Sequence, residues 1–252
     1  MERVGVLAKV AEILDLLSAT HEPLNVSAMA RRLGMPRATL YRLIAALEEM
    51  DVIESAGGRL RPGPRLVRWA SEAWESSDLR LIAHPVLEAL VASTGETAAL
   101  FVRVGTERIC LDRVEGPGLL RSTTRIGETS PLHLGSSGKV LLAFADRAEW
   151  QHLLRTSQAN YPGAVREELD LEAIREQGYV ISAGDRDDAL SSLSAPVRDR
   201  FGACLAALSI SGPSSRLTAR RLAGHVPLLL AAAAQVEAAL RRQSGEWTSR
   251  RV

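Results

Sequence analysis

The sequence predicts an α+β fold in two domains: an N-terminal winged helix-turn-helix and a C-terminal antiparallel sheet with helices on one side. Two helical patterns followed by two short β runs within residues 25–62 predict the first domain. Apolar periodicity then lapses at residues 75–78, so we place the domain boundary between residues 1–77 and 78–252. Beyond it, β-rich runs in two groups alternate with helical patterns, which predicts the second domain.

The first elements of the chain are helices whose ends are marked by particular residues. Apolar residues repeat at helical spacing over residues 3–18, and the residue before Pro23 is pushed out of helical geometry. Asn25 can accept a hydrogen bond from a backbone N–H of the next helix, so it is the expected N-cap. Gly34 is expected to end that helix because it adopts the left-handed conformation at little cost. Pro36 suits the first turn of the following helix, where a missing N–H costs nothing.

The helix after Pro36 has the pattern of a recognition helix, the helix that enters the major groove of DNA. Leu40, Ile44 and Leu47 recur at four- and three-residue steps and form its buried face. Its N-terminal half then exposes polar and basic side chains, as groove-contacting helices do. Two short β runs follow around Gly57-Gly58, and such a hairpin is the wing of a winged helix-turn-helix.

Charge favours a nucleic-acid partner for the first domain. Residues 31–68 contain eight arginines and four acids, whereas the whole chain carries a net charge of only +1. Phosphate binding needs such a local excess of cations. The sequence therefore predicts binding to double-stranded DNA, although a helical domain also exposes arginines simply to water. The predicted DNA-contacting residues are Arg31, Arg37, Thr39, Tyr41, Arg42, Arg59 and Arg61.

A further amphipathic helix begins at Pro64 and reaches about Trp74. The apolar faces of this helix and of the helix at residues 3–18 together have more apolar area than one small winged-helix core can bury. We therefore expect these helices to pair across a two-fold axis. A dimer of this kind would bind an inverted repeat whose half-sites lie about one helical turn, or a multiple of it, apart.

Composition argues against several classes of protein. The 252 residues, 46% hydrophobic and 24% charged, are ordinary for a soluble globular protein of two domains. Cys110 and Cys204 lie outside any CxxC motif, so neither a disulfide framework nor a zinc site is predicted, and both thiols are expected to be buried and reduced. The longest apolar run, residues 226–234, falls short of the roughly 20 residues of a spanning helix. We expect a cytoplasmic protein with no membrane partner and no cofactor.

The second domain is predicted element by element. Its helices are expected at residues 81–93, 138–145, 147–156, 165–177, 215–224 and 226–242. Its strands are expected at residues 97–104, 107–114, 119–126, 179–183, 190–197 and 203–211. Strands in two groups with helices between them favour an antiparallel sheet that is covered by helices on one face.

Over nearly its whole length the sequence resembles the IclR-type family of bacterial transcriptional regulators. The resemblance rests on the winged helix-turn-helix and on the order and spacing of four further motifs, which are Pro131-Leu-His-Leu-Gly-Ser-Ser-Gly-Lys-Val-Leu-Leu-Ala, Gly178-Tyr-Val-Ile-Ser, Ser194-Ala-Pro-Val-Arg-Asp-Arg-Phe-Gly and Ala206-Ala-Leu-Ser-Ile-Ser-Gly-Pro. It implies a C-terminal GAF-like domain that binds a small-molecule effector, and a homodimer or homotetramer whose DNA binding the effector controls. We expect a repressor or dual regulator of a catabolic operon.

The residues themselves indicate an anion site in the second domain. Residues 135–138, Gly-Ser-Ser-Gly, lie between a β run and a helix, and the free N–H groups and dipole of a helix N-terminus favour an anion. Ser209 and Ser211 alternate with apolar residues, which places both hydroxyls on one face of a strand. Buried hydroxyls need partners, and a small carboxylate would supply them. Alternatively, these serines only cap the helix and bond across the sheet.

Matching the family's effector-binding positions to this chain implies seven residues: Ser136, Ser137, Leu190, Ser192, Ser209, Ser211 and Asp185. Two departures from the family pattern lie in this region. Leu134-Gly-Ser-Ser stands where the family often has Ala-Thr-Ala or a similar run, and Ala189 replaces the usual glycine before the strand of Ser192. The identity of the effector is therefore not transferable. Lys139, the nearest lysine, is expected to point away from the site along its helix.

Two other classes of function remain as alternatives. Gly138-Lys139 resembles the end of a phosphate-binding loop, but Val140 replaces the required Ser or Thr and His133 stands where its first glycine would be. Catalysis by His133 with Cys110 or Asp112 is less expected than a structural histidine between two leucines, and no catalytic or metal-ligating set is predicted. The second alternative is a small-molecule sensor that acts through a protein partner without binding DNA.

Overall fold

A computed structural model of the chain describes residues 5–20, 24–75, 78–122, 124–161, 169–184 and 188–249. The chain divides into two units, Met1–Ser76 and Ser77–Val252. The first unit consists of α1 (Gly5–Ala19), α2 (Val26–Leu33), α3 (Arg37–Glu49), β1 (Ile53–Ala56), β2 (Arg59–Pro62) and α4 (Pro64–Glu75). The helices and the hairpin that the sequence predicts for this unit are all present.

A single apolar cluster forms the core of the first unit. Ile13 of α1, Met29 of α2 and Leu40 of α3 are fully buried in it. Ile44 and Leu47 continue the buried face of α3 at the predicted helical spacing. Because this face is committed to the core, the opposite side of α3 faces solvent.

The turn between α2 and α3 forms from local hydrogen bonds. The Asn25 side chain accepts a hydrogen bond from Ala28 N at 2.8 Å, which confirms it as the N-cap of α2. Gly34 ends α2 in the left-handed conformation, with φ at 60°. The next N–H, that of Met35, donates to Ala30 O at 3.1 Å. Pro36 precedes α3 as its N-cap residue instead of lying within its first turn.

Strands β1 and β2 form the predicted wing. They pair antiparallel with Ala56 opposite Arg59, and Gly57-Gly58 between them has positive φ at both residues. A third segment joins the hairpin, since Leu24 O accepts a hydrogen bond from Leu60 N at 2.8 Å. Leu60 is buried, so the residues on either side of it along β2 face away from the core.

The second unit combines one antiparallel sheet with helices. Its helices are α5 (Asp78–Thr94), α6 (Gly135–Ala143), α7 (Trp150–Asn160, preceded by a 3-10 turn at Arg147–Glu149), α8 (Leu171–Gln177) and α9 (Ala219–Ser249). Its strands are β3 (Thr97–Val104), β4 (Glu107–Val114), β5 (Thr129–Pro131), β6 (Val180–Ala183), β7 (Leu190–Arg198) and β8 (Cys204–Pro213). The strand order across the sheet is β5-β4-β3-β8-β7-β6.

Helices cover both faces of this sheet. One face, which includes Leu100 and Leu208, packs against α5 and α9. The other face, which includes Phe101 and Ala207, packs against α6, with α7 and α8 extending that layer. The expectation of helices on one side only is therefore wrong. Residues 206–211 of β8 are buried without interruption, and a strand that is buried on both faces must be covered on both.

Two predicted elements around the middle of the chain need correction. No strand forms in the described part of residues 119–126, and Leu119 is 97% exposed. The edge of β4 that such a strand would need is taken by β5, where Ile109 lies opposite Thr129. Helix α6 begins at Gly135, three residues earlier than expected, so the two serines that follow lie in its first turn. Of the helix that was expected at residues 165–177, residues 165–168 lie outside the described residues, and the described helix, α8, begins only at Leu171.

The two helices that were expected at the end of the chain are one helix, α9, which continues through Gly224 and Pro227. Leu222 and Leu229 lie two turns apart and are both fully buried against the sheet. This packing offsets the hydrogen bond that an internal proline removes. Residues Ala219–Arg242 have the length and composition of a membrane-spanning helix, but the buried side of this helix packs within the second unit's core.

Neither cysteine forms a disulfide. Cys110 is buried and Cys204 is half-buried, so the expectation that both are buried holds fully only for Cys110. Burial raises the pKa of each thiol to about 12. Both thiols therefore stay protonated near neutral pH.

Candidate functional site

The exposed side of α3 carries most of the predicted DNA-contacting residues. Arg37, Tyr41 and Arg42 are exposed, with Tyr41 at 56%, and Thr39 is half-buried. The three exposed residues lie in the first two turns of the helix, the part that enters the major groove in helix-turn-helix proteins. Arg31 is exposed in the last turn of α2.

The two wing arginines differ in their surroundings. Arg59 and Arg61 both face away from the core, because they flank the buried Leu60 on β2. The Arg61 Nε donates to the Glu54 carboxylate at 2.8 Å across the hairpin. Glu54 therefore offsets part of the positive charge at Arg61. We call the exposed side of α3, Arg31 and these two arginines the basic surface.

In the second unit, serines gather on one face of the sheet. Ser182, Ser192 and Ser211 lie side by side on β6, β7 and β8. Ser194 and Ser209 form a second row beside them on β7 and β8. We call these five residues the serine face. The predicted placement of the two β8 serines on one side of their strand is confirmed, since both face α6 and not α9.

The first turn of α6 meets the serine face directly. The hydroxyl of Ser136 lies 2.7 Å from those of both Ser192 and Ser194, and Ser194 donates to Ser209 Oγ at 2.9 Å. Ser209 thus bonds across the sheet, as the alternative interpretation expected. Within the part of the chain that the structure describes, no protein group hydrogen-bonds the Ser211 hydroxyl. Its side chain is available to a ligand without the loss of an internal bond.

A small cavity of about 30 Å³ lies between α6 and the serine face, and we call it the inner cavity. Its lining includes every predicted effector-binding residue except Asp185, which lies outside the described residues. The described residues that line it are Phe101, Arg108, Ser122, Thr124, Gly135, Ser136, Ser137, Ser182, Leu190, Ser192, Ser209 and Ser211. Most of this lining can donate hydrogen bonds, which suits an acceptor-rich ligand.

The most important cavity residue that the sequence analysis missed is Arg108. Its side chain is 2% exposed, and its Nη1 donates to Pro131 O at 2.8 Å and to Leu134 O. The guanidinium also lies over the Phe101 ring, 5.5 Å from the ring centroid. Arginine stays protonated in proteins, so a positive charge lies in the cavity wall beside the N-terminus of α6. No signal in the strand itself would have found Arg108, because Ile109 and Leu111 alternate with it and predict the opposite face of β4 as the buried one.

Two glycines make room for this arginine. A Cβ atom on Gly138 would collide with Arg108 Nη1 and Leu132 O, and it would lie 2.9 Å from Leu132 C. A Cβ atom on Gly135 would lie 3.1 Å from Arg108 Nη2, and Gly135 also has a positive φ of 66°. The Gly-x-x-Gly spacing in the first turn of α6 therefore lets the guanidinium approach the helix backbone closely.

A larger cavity of about 540 Å³ adjoins the inner one, and we call it the outer cavity. Ser122, Thr124 and Leu190 line both cavities. The other described residues of its lining are Leu120, Arg121, Asp188, Ala189, Pro213, Ser214 and Ser215. Part of the segment 119–126, which was expected to be a strand, forms a wall of this cavity, so the sequence analysis did not indicate the cavity.

Lys139 and His133 are both outside the described lining of the inner cavity. Lys139 is buried at 6% exposure within α6 and does not line the inner cavity among the described residues. His133 Nδ1 lies 2.9 Å from Ser157 Oγ, which also accepts a hydrogen bond from Leu132 N. His133 therefore has the structural role that the sequence analysis favoured. Within the described ranges, no group of three or more potential metal-ligating side chains comes together.

Comparisons with known proteins agree with both units. Residues 6–57 match the family model described as the IclR helix-turn-helix domain, and residues 71–238 match the model described as bacterial transcriptional regulator IclR C-terminal. The HTH-type transcriptional repressor AllR of Escherichia coli strain K12 is 28% identical over 236 residues, which are 90% of this chain and 87% of that protein.

Solved structures show the same similarity. The IclR transcriptional regulator from Alicyclobacillus acidocaldarius aligns over 95% of this chain and 100% of its own, with a TM-score of 0.81 and 27% identity. An IclR homologue from Microbacterium hydrocarbonoxydans, solved in complex with 4-hydroxybenzoate, aligns over 94% of this chain and 99% of its own, with a TM-score of 0.75 and 24% identity.

Proposed function

The chain belongs to the IclR family of bacterial transcriptional regulators, and we propose that it represses or dually regulates a catabolic operon under the control of a small carboxylate. It is a DNA-binding regulator and not an enzyme, because both units match regulatory domains of this family. We assign DNA binding to residues 1–77 and effector binding to residues 78–252. The similarity to a named repressor supports repression, and the DNA target implies a cytoplasmic location.

The DNA contacts that we propose are those of the basic surface. Arg37, Thr39, Tyr41 and Arg42 would contact base edges from α3, where arginine pairs best with guanine. Arg31, Arg59 and Arg61 would contact backbone phosphates. The exposure of these arginines supports their availability to DNA. A sensor that acts only through a protein partner would have no need for a basic surface on α3 and the wing.

The effector site that we propose is the inner cavity. The observation that carries this proposal is the junction of a buried arginine, Arg108, with a helix N-terminus and the serine face. The positive charge and the first N–H groups of α6 favour an anion, and the hydroxyls of Ser136, Ser137, Ser192, Ser209 and Ser211 would donate to its oxygens. Leu190 would pack on its apolar part. The Microbacterium homologue's complex with a hydroxybenzoate is consistent with a carboxylate in this family.

The protein would act as a homodimer or as a homotetramer built from dimers. Val6 and Leu7 of α1 and Val67 and Trp69 of α4 are each at least half exposed. An exposed apolar surface of this kind marks an interface. Two copies of the basic surface would then bind an inverted-repeat operator. Light scattering at micromolar concentration is expected to give a dimer or tetramer, and a monomer would contradict this part of the proposal.

One experiment tests the proposed function as a whole. DNA that binds the full chain is selected from a random library, and its mobility shift is then measured with and without a panel of small carboxylates. We expect a palindromic consensus and a change in affinity with at least one carboxylate. Failure to select any sequence would favour the protein-partner sensor. Selection of DNA whose binding no carboxylate alters would contradict the effector assignment alone.

A further inference from the structure

The two cavities of the second unit differ in size in a way that constrains the ligand. The inner cavity measures about 30 Å³ and the outer cavity about 540 Å³, and they share part of their lining. Since one water-sized group needs roughly 10–15 Å³ of such a cavity, the inner one holds only about two or three. That is room for a carboxylate group but not for a whole organic acid of ordinary size.

The wall of the outer cavity is suited to an uncharged group. Leu120, Leu190 and Pro213 give it apolar surface, and most of the polar side chains in its described lining carry hydroxyls. Its volume falls within the range of about 300–1,000 Å³ that is typical of small-molecule sites. An apolar group that extends out of the inner cavity would be removed from water here.

Among the described residues that line the outer cavity, two are charged, Arg121 and Asp188. The Arg121 Nε donates to the Glu115 carboxylate at 2.5 Å. Asp188 also takes part in polar interactions, and its carbonyl accepts a hydrogen bond from Ser214 Oγ at 3.3 Å. Within the described part of the lining, one acid and one base offset each other in charge and do not select for a second charge on the ligand.

An ion pair between the buried Glu96 and the partly exposed Arg216 anchors one side of the outer cavity. Arg216 donates to both oxygens of Glu96, at 2.7 and 2.8 Å, and to Leu120 O at 2.8 Å. Glu96 is 5% exposed. A Cβ atom on Gly212 would collide with the Glu96 carboxylate, and one on Gly118 would lie 2.9 Å from Arg216 Nη2. The segment that carries Leu120 is thus fixed to the end of β8, and the outer cavity has a defined wall.

From this arrangement we infer that the effector is an extended monocarboxylate, whose carboxylate occupies the inner cavity and whose uncharged, largely apolar body occupies the outer cavity. This inference rests on the proposed function, because it takes the inner cavity as the carboxylate site. It excludes two- and three-carbon acids as the preferred ligands. Such acids would fill the inner cavity and leave the outer one to water.

The test is calorimetry of the full chain with propanoate, butanoate, hexanoate and octanoate, with the weaker acids measured by displacement of octanoate. Affinity should rise about fourfold for each added methylene, which is the value of ~0.8 kcal/mol per buried methylene. Butanoate and octanoate should then differ by about two orders of magnitude. An affinity that stays level from propanoate to octanoate would overturn the inference while leaving the carboxylate site intact.

Hexanamide separates this inference from the proposed function. It has the length of hexanoate without the charge, so it should bind much more weakly. If it binds as well as hexanoate, the carboxylate site is wrong even when affinity depends on length. If none of the acids binds at millimolar concentration, both the inference and the carboxylate site are wrong.

A substitution in the outer cavity tests whether this cavity causes the dependence of affinity on the chain length of the acid. Ala189 lines only the outer cavity and is exposed at its rim. Ala189→Trp should lower the affinity for octanoate at least tenfold and leave that for propanoate unchanged. Ala159→Trp, on the exposed side of α7, is the matched control and should alter neither. An equal loss for both acids in Ala189→Trp would overturn the inference.

Discussion

The basic surface of the first unit and the inner cavity of the second are built in opposite ways. The surface comes from residues 31–61, a single stretch of chain in which helix spacing decides what is exposed. The cavity collects residues from 101 to 211, and the register of three strands decides which side chains meet. The surface tolerates substitution because water surrounds it, whereas the cavity wall is close-packed. Predictions for the two regions should therefore differ in how far binding and stability change together.

The largest effect is expected at Gly138, where the cavity wall is tightest. Gly138→Ala places a methyl group against Arg108 and Leu132, so either the guanidinium or the helix must move. Overpacking of this kind costs about 1–3 kcal/mol, and the melting temperature should fall by roughly 2–10 °C. Carboxylate binding should be lost with it. Scanning calorimetry and ligand titration measure the two effects.

Gly224→Ala in α9 is the matched control. Apart from the neighbouring backbone of its own helix, nothing lies within 4 Å of a Cβ atom at this position, and the residue is exposed. Alanine is better than glycine there by up to about 1 kcal/mol, so the melting temperature should rise slightly. If Gly138→Ala were as stable as Gly224→Ala and still bound carboxylates, the close approach of Arg108 to α6 would have no role.

The two regions also differ in how far the sequence predicts them. The winged helix-turn-helix was predictable because its signals are local: an Asn25 cap, a Gly34 stop and apolar steps along α3. The strands β3 and β4 were predicted with their correct bounds for the same reason. Arg108 was missed because its role depends on a helix 27 residues further along, and composition alone does not show which face of β4 becomes a cavity wall.

The remaining errors have a similar origin. Residues 119–126 were expected to form a third strand after β3 and β4, but β5 pairs with the edge of β4 that does not pair with β3. Pro227 resembles a helix stop, but packing of Leu222 and Leu229 on the sheet carries α9 through it. In each case tertiary contacts decided between local alternatives. The serines of β8 were placed on the correct face because a strand alternates strictly, whatever its neighbours.

The next prediction compares two serines of the serine face. Ser211→Ala should weaken carboxylate binding by about 1.5–3 kcal/mol, the range for a hydrogen bond to a charged group, and should leave the melting temperature nearly unchanged. Ser209→Ala should weaken binding and also lower the melting temperature, because Ser194 loses its acceptor. Ser93→Ala, on the exposed side of α5, controls for loss of a hydroxyl. A fall in stability without a change in affinity for Ser211→Ala would make that hydroxyl structural.

On the basic surface, binding and stability should separate. Arg42→Ala should lower affinity for the selected operator by about 1–3 kcal/mol if Arg42 contacts a guanine edge, with no change in melting temperature because the side chain is exposed. Arg59→Ala should weaken binding to all DNA sequences about equally and reduce the salt dependence of the affinity. Arg220→Ala, an exposed arginine of α9, removes the same charge outside the surface. Equal affinity of Arg42→Ala and Arg220→Ala, measured by fluorescence anisotropy at one salt concentration, would contradict the assignment.

The smallest effect is expected where a wing arginine is already paired. Arg61 bonds to Glu54, and an exposed pair of this kind is worth about 0–1 kcal/mol. Arg61→Ala should therefore weaken DNA binding less than Arg59→Ala does. Glu54→Gln should release Arg61 toward phosphate and strengthen DNA binding by up to about fivefold at low salt, with a steeper salt dependence.

Removal of an acid near DNA would strengthen binding by itself, so the double variant Glu54→Gln with Arg61→Ala is needed to separate the two effects. If Glu54 restrains Arg61, Arg61→Ala must cost more in the Glu54→Gln background than in the parent. Equal costs in the two backgrounds would mean that the pair does not govern how the wing contacts DNA.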